Sequence, residues 1–190
     1  MARRLPCPEC MTPIGILTLT LTLLLVATPS IAIAADSTTD GTRRQIRTTD
    51  ARLRRLLEEG LRTSPTFRTL VARLQASDVV VYLRCDGDFT SSTDGRLTFV
   101  STAGGYRYVV VRMARLPRER QIAIMAHELR HAVEIADAPE VVDGHSLARE
   151  YKRIGYVNRG TALPGIAFDS QAAVQAGFQV LRELLDGEDD

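Results

Sequence analysis

The sequence has little cysteine and almost no net charge, and each shortage excludes a class of protein. Three cysteines among 190 residues are too few for a disulfide scaffold, and an odd number cannot all pair within one chain. A net charge of +1 provides no long-range field that would attract nucleic acid or anionic lipid. Internal repeats and long linkers are missing too. We therefore expect one ordinary globular domain and no nucleic-acid partner.

The first 34 residues have the order of a secretory signal peptide. Two arginines near the start precede an uncharged apolar stretch over residues 14–27, and small residues stand at Ala32 and Ala34. We expect cleavage after Ala34, which makes the protein secreted or periplasmic, with no stable membrane insertion. An uncleaved anchor is the alternative, but several threonines and a proline make the stretch a poor spanning helix.

Cleavage at this position also removes a pair of cysteines. Cys7 and Cys10, whose spacing resembles a redox or zinc motif, lie before the predicted site, and Cys85 is left as a single thiol. Residues 35–49 are rich in Ser, Thr, Asp and Arg, so we expect a flexible leader there. The folded domain is predicted to cover residues 50–190.

Two short helices are expected at the start of this domain. The first is predicted over residues 51–59, with Asp50 as its N-cap and Gly60 as its end, because leucines repeat there at helical spacing. The second runs from Pro65 to about Leu74.

Three strands are expected next, because the pattern changes to β-branched and aromatic residues. They cover residues 79–83, 96–102 and 106–113. Gly104 and Gly105 suit a tight hairpin between the last two. A three-stranded antiparallel meander is the simplest topology, and we expect Arg107 and Arg112 to project from it into solvent.

The longest predicted helix, residues 118–136, contains a His-Glu-x-x-His motif. His127 and His131 lie one helical turn apart on one face and can bind a single ion. Zinc prefers such nitrogen ligands, polarises carbonyl groups and lowers the pKa of water. Glu128 lies beside the ion without binding it, so it can act as the general base in hydrolysis of an acyl bond.

The alternative is that both histidines are structural residues on a helix that matches the motif by chance. Apolar residues on several sides of this helix argue against chance. They are Ile122, Ile124, Met125, Leu129, Val133, Ile135 and Ala136. Such a helix is buried between layers, and two histidines and a glutamate are costly to bury without a partner such as a divalent ion.

This order of elements resembles the zincin metallopeptidases, in which strands precede the motif helix and C-terminal helices return a third ligand. The resemblance covers about residues 50–185, and only the five-residue motif within it is highly specific. It implies a small zincin-like α+β domain in which the sheet packs against the motif helix. It also implies His127 and His131 as zinc ligands and Glu128 as the base.

The resemblance leaves the third metal ligand open among three residues. The metzincin branch has its third ligand six residues after the second histidine, at Asp137, but it has glycine where this chain has Glu134. The gluzincin branch takes a carboxylate from a later helix, which offers Glu150 and Asp169.

We favour Asp169 because small residues follow it on one helical face and allow one helix to approach another closely. They are Ala172, Ala173, Ala176 and Gly177. The segment also looks like the end of some uncharacterised secreted proteins with this motif, with Asp replacing Glu. Asp169 has a competing interpretation as the N-cap of the last helix. Glu150 is otherwise expected to be a solvated charge on a helix predicted over residues 146–154.

Four further side chains are weaker candidates for a role at the site. Glu134 is close enough to the histidine face to orient His131. Tyr151 and Tyr156 could donate a hydrogen bond to a developing oxyanion, although both fit core packing better. His145 is expected in a loop or helix cap.

The leading hypothesis is a secreted zinc metallopeptidase acting on a peptide or protein, with an edge strand that aligns the substrate. A zinc hydrolase of a non-peptide amide or ester is the second reading. The third is a metal-stabilised binding module in which Glu128 no longer acts as a base. The sequence leaves the substrate and the oligomeric state open.

Overall fold

The computed structural model describes residues 45–86, 94–158 and 167–187, and within them the chain forms an α+β domain. The helices are α1 (Ala51–Thr63), α2 (Pro65–Gln75), α3 (Arg118–Asp137), α4 (Gly144–Ile154) and α5 (Gln171–Asp186). The strands are β1 (Ile46–Arg47), β2 (Val79–Cys85), β3 (Gly95–Ala103), β4 (Tyr106–Met113), β5 (Tyr156–Asn158) and β6 (Ala167–Asp169). The predicted signal peptide lies outside the described residues. Within the described ranges, no helix combines the length and apolar character needed to cross a bilayer.

The first helix is longer than expected. Asp50 is its N-cap, as predicted, and accepts hydrogen bonds from two backbone N–H groups of the first turn. The predicted stop at Gly60 is wrong, because α1 continues to Thr63. Gly60 is instead a packing position, since a Cβ there would lie within 3.0–3.1 Å of Phe67 and Ile122.

The predicted antiparallel meander is wrong, because β4 lies between β2 and β3. The four-stranded sheet has the order β1-β2-β4-β3, in which β2 pairs with β4 in parallel and β3 pairs with β4 antiparallel. The hairpin itself is confirmed, and Gly104 and Gly105 have the positive φ angles that its turn requires. Burial is consistent with this order: β2 buries Val79, Val80, Val81 and Leu83, β4 buries every second residue, and β3 is largely exposed and forms the edge.

The predicted flexible leader over residues 35–49 is wrong for its last residues, which belong to the folded domain. Gln45 and Ile46 are buried, and β1 pairs in parallel with β2, with Ile46 opposite Val81. The side chain of Gln45 also donates to the carbonyl of Ser77. Residues 35–44 lie outside the described part of the chain. A two-residue strand among polar residues is too short to produce a periodic signal.

Arg107 is buried, and the prediction that it projects into solvent is wrong. It lies on the core face of β4 with an exposed fraction of 4%, and its guanidinium donates to both carboxylate oxygens of Asp78 at 2.6 and 2.8 Å. It also donates to the carbonyl oxygens of Ile135 and Ala138 at the end of α3. Arg107 therefore joins Asp78 to the C-terminal end of α3, where its guanidinium is an additional donor to carbonyl groups that also accept backbone N–H groups. Arg112 does project outward, as predicted.

Replacing Arg107 with methionine is expected to lower the free energy of unfolding by about 3 kcal/mol, because Asp78 loses its ion-pair partner and the carbonyls at the end of α3 lose a buried charged donor. Urea unfolding checks this prediction. Arg112→Met, on the exposed face of the same strand, is the matched control and should change stability by less than about 0.5 kcal/mol. Equal effects of the two substitutions would contradict the structural role of Arg107.

Helix α3 is the central element of the domain, which supports the prediction of a helix buried between layers. It contacts β2, β3 and β4 on one side and packs along α5 on another. Its buried residues include apolar side chains such as Ile122, Met125 and Leu129, together with the polar Glu128 and His131. The fold therefore places the His-Glu-x-x-His motif in the interior, where ionisable groups need partners.

Candidate metal centre

The two motif histidines lie together on α3, as the helical repeat requires. Their ring centroids are 4.9 Å apart and the ring planes are inclined by 81°. The side chain of His127 is 19% exposed and that of His131 is 7% exposed. The centre is therefore reached from solvent on the His127 side.

Asp169 completes a group of three potential metal ligands. It is the last residue of β6, and its Oδ1 lies 3.4 Å from Nε2 of His127 and 3.5 Å from Nε2 of His131. One ligand atom from each of the three residues lies within 4.8 Å of the others. With zinc-to-ligand bonds of about 2.0–2.1 Å, two ligands of a tetrahedral site are about 3.3 Å apart. Two imidazoles and a carboxylate are ligands that zinc accepts, and the two distances from Asp169 to the histidines are close to this separation.

Small residues on α5 let this helix approach α3 closely, as predicted. Ala173 and Ala176 are buried, and a Cβ on Gly177 would lie 3.3 Å from both His127 Cβ and the carbonyl oxygen of Ala123. A larger side chain at Gly177 would push α5 away from the histidine helix. The close helix contact keeps Asp169, which directly precedes α5, beside the two histidines.

The structure separates Asp169 from its competing interpretation. Ser170 is the N-cap of α5, and its Oγ accepts the backbone N–H of Ala173 at 3.0 Å. The carboxylate of Asp169 accepts only the N–H of the adjacent Ser170 among the backbone groups recorded in the described residues. Asp169 is therefore not the helix cap and is directed at the histidines.

The other two candidates for the third ligand lie elsewhere. Asp137, at the end of α3, pairs with Arg73 on the surface. Glu150 is buried rather than solvated, which corrects our expectation, and its carboxylate accepts hydrogen bonds from Arg153. Within the described residues, neither joins the group formed by the two histidines and Asp169.

Glu128 is buried under the edge strand β3. It is 4% exposed, and the backbone N–H of Leu97 donates to its carboxylate. A Cβ on Gly95 would lie 2.6 Å from Glu128 Oε1, so the glycine leaves room for the carboxyl group. Burial raises the pKa of Glu128 to about 7, although the nearby charge of His131 acts in the opposite direction. A carboxyl group with a pKa near neutrality is suited to proton transfer.

The two histidines have opposite pKa shifts. Burial, and then the nearby charge of His131, lower the pKa of His127 to about 4. Burial also disfavours the charged form of His131, but hydrogen bonds to Asp169 and Glu134 outweigh it and raise its pKa to about 9. The carboxylates around His131 thus stabilise positive charge at this position.

The metal-free protein is expected to lose stability as the pH rises from 6.5 to 9. The pKa of His131 is about 9 when folded and 6.5 in its unperturbed state, so its contribution is complete below pH 6.5 and disappears as the pH rises through 9. A shift of this size corresponds to an upper bound of about 3 kcal/mol. Urea unfolding in chelator at several pH values measures the loss. The decline should persist in His145→Gln, which alters an exposed histidine, and flatten in His131→Gln.

Three polar side chains beside the centre were underestimated or missed from the sequence. Glu134 Oε2 lies 2.9 Å from His131 Nδ1 and accepts the hydroxyl of Tyr151, and its Oε1 accepts the hydroxyl of Ser170. The spacing of three residues between His131 and Glu134 was the signal available for the first contact. No sequence pattern relates Tyr151 or Ser170 to that helix.

The two tyrosines occupy different sides of the centre. Tyr151 is 6% exposed, and its hydroxyl lies 2.8 Å from His131 Nδ1, on the opposite side of the ring from the nitrogen that faces Asp169. It is therefore badly placed to assist a substrate beside the ion. Tyr156 is 45% exposed. The pKa of Tyr156 is raised, first by slight burial and then by Asp169, which forms a hydrogen bond with the Tyr156 hydroxyl.

Comparisons of the chain with protein-family models, curated proteins and solved structures found no match. The motif and the geometry of the centre are therefore the observations that bear on function.

Proposed function

We propose that this protein is a secreted zinc-dependent metallopeptidase of the zincin type, in which His127, His131 and Asp169 bind the ion. The observation that supports the proposal is the convergence of two imidazoles and one carboxylate, in which Asp169 Oδ1 lies 3.4 and 3.5 Å from the two Nε2 atoms, close to the separation of two ligands in a tetrahedral zinc site. Zinc bound there would polarise a substrate carbonyl and lower the pKa of water.

Glu128 acts as the general base in this proposal. It is adjacent to His127 in the helix and close enough to His131 and Asp169 to interact with their charges. As water attacks the carbonyl carbon, Glu128 accepts a proton from it. Glu128 then donates that proton to the leaving nitrogen as the C–N bond breaks, so it is unchanged after a turnover.

The position of β3 favours a peptide over a small non-peptide substrate. This strand is at the edge of the four-stranded sheet, and its residues Gly95 and Leu97 contact Glu128. An extended peptide that pairs with the edge of β3 left unpaired among the described strands would pass beside the base. Strand pairing also recognises any peptide backbone, which a compact ester or amide cannot offer.

Tyr156 is the residue that we propose as the donor to the developing oxyanion. Its side chain is 45% exposed and its hydroxyl forms a hydrogen bond with Asp169, so Tyr156 is both accessible and adjacent to a proposed zinc ligand. A donor in this position stabilises the charge that accumulates on the carbonyl oxygen during attack.

The test is to produce the full-length chain with export and to determine the N-terminus, the zinc content and the hydrolytic activity of the product. We expect Ala35 as the first residue, one zinc per chain, and cleavage of a mixed peptide library that stops in chelator and returns with zinc. Cleavage of esters or non-peptide amides alone would favour a zinc hydrolase of non-peptide substrates. Zinc without any hydrolysis would favour the binding module, and a chain that binds no zinc would overturn the proposal.

A further inference from the structure

The buried carboxylate of Glu134 contacts side chains from three segments around the candidate metal centre. Glu134 is 6% exposed and lies one turn after His131 on α3. Its Oε2 is 2.9 Å from His131 Nδ1 and accepts the Tyr151 hydroxyl at 2.9 Å, whereas its Oε1 accepts the Ser170 hydroxyl at 2.6 Å. Helices α3 and α4 and the start of α5 therefore meet at this side chain.

The first consequence concerns the proton of His131. An ionised carboxylate only accepts hydrogen bonds, so the neutral ring of His131 must carry its proton on Nδ1 to satisfy Glu134. The lone pair then lies on Nε2, which is the nitrogen that faces Asp169 at 3.5 Å. Glu134 thereby selects the tautomer that can bind a cation at Nε2.

The second consequence concerns Asp169. Ser170 donates to Glu134 while its Oγ accepts the N–H of Ala173, so the first turn of α5 is attached to α3. The backbone N–H of the same Ser170 donates to Asp169 Oδ1 at 2.7 Å. A displacement of Ser170 would therefore move the carboxylate that faces the two histidines.

We propose that Glu134 is the positioning residue of the metal centre, orienting His131 directly and Asp169 through Ser170. The proposal rests on the metal centre described under the proposed function. Glu134 touches neither the ion nor the substrate, so it acts on affinity and on ligand geometry and not on proton transfer. Tyr151 supports it by occupying the remaining acceptor position of Oε2.

The test is the metal affinity and the visible Co²⁺ spectrum of Glu134→Gln in the exported protein. The amide nitrogen of glutamine can donate to Nδ1 and so favours the wrong tautomer of His131. We expect Zn²⁺ affinity, measured by chelator competition, to fall by about 10–100-fold, and the ligand-field bands of bound Co²⁺ to shift. An unchanged affinity and spectrum in Glu134→Gln, with normal zinc binding by the wild type, would overturn this proposal alone.

Glu183→Gln is the matched control, because Glu183 also accepts the hydroxyl of an N-cap serine, Ser64, from another helix. Glu183 thus joins two helices as Glu134 does, but its partner is not a histidine of the metal centre. Glu183→Gln should therefore lower thermal stability and leave the Co²⁺ spectrum unchanged. Should Glu134→Gln fail to fold, Glu134→Asp decides: its carboxylate is one methylene shorter and should no longer reach both His131 and Ser170, so we expect Zn²⁺ affinity to fall by about tenfold and the Co²⁺ spectrum to shift. No change in Glu134→Asp would then overturn the proposal. A wild-type protein that binds no metal instead overturns the proposed function.

Discussion

Glu128→Gln is expected to retain zinc and to lose about 10²–10⁴-fold in kcat. Glutamine has nearly the same shape and can still accept the N–H of Leu97, but it cannot take a proton from water. Because burial already raises the pKa of Glu128 to about 7, removing its charge should not destabilise the fold. Zinc content and peptide cleavage, measured on the same preparation, separate this result from a loss of structure.

Glu140→Gln is the control for this variant, since Glu140 is an exposed glutamate after the end of α3. It should match the wild type in both measurements. Cleavage at the wild-type rate by Glu128→Gln would remove the proposed base and leave the metal centre untouched. Loss of zinc together with activity would instead indicate that Glu128 is a ligand.

Asp169→Ala is expected to weaken zinc binding by more than about 100-fold, because it removes one of the three proposed protein ligands, a larger change than the loss of an outer hydrogen bond. The same change should abolish zinc-dependent cleavage at limiting zinc. Chelator competition measures the affinity, and excess zinc should restore part of the activity if the site otherwise remains intact.

Asp137→Ala and Glu150→Gln are the informative comparisons for Asp169. Both residues were candidates for the third ligand, and both have arginine partners in the structure, Arg73 and Arg153. We expect each variant to bind zinc as tightly as the wild type. If Asp169→Ala keeps full affinity and one of the other two loses it, the third ligand is reassigned to that residue.

Local patterns predicted much of this structure because short-range interactions decide them. The N-cap at Asp50, the glycine hairpin and the long helix with two histidines on one face each depend on residues close in sequence. The stop at Gly60 was a local prediction that failed. Gly60 instead packs against the ring of Phe67, seven residues further on, and the helix continues to Thr63.

Contacts between distant segments account for the remaining differences. Strand order could not be predicted from the strands themselves, because the choice between neighbours depends on which strands the helices cover. For the same reason Arg107 appeared exposed: its partners, the carbonyls at the end of α3, are about 30 residues away in sequence.

The amino-acid sequence alone determined the α+β class, the helix with His127 and His131, and Asp169 as the favoured third ligand. Only the tertiary structure decided that Asp169 faces both Nε2 atoms, that Glu128 lies under β3, and that Glu134 joins Tyr151 and Ser170. The physical reason is the range of the interactions. A helix brings residues four apart onto one face by its own geometry, but ligands from separate segments meet only when the whole core packs.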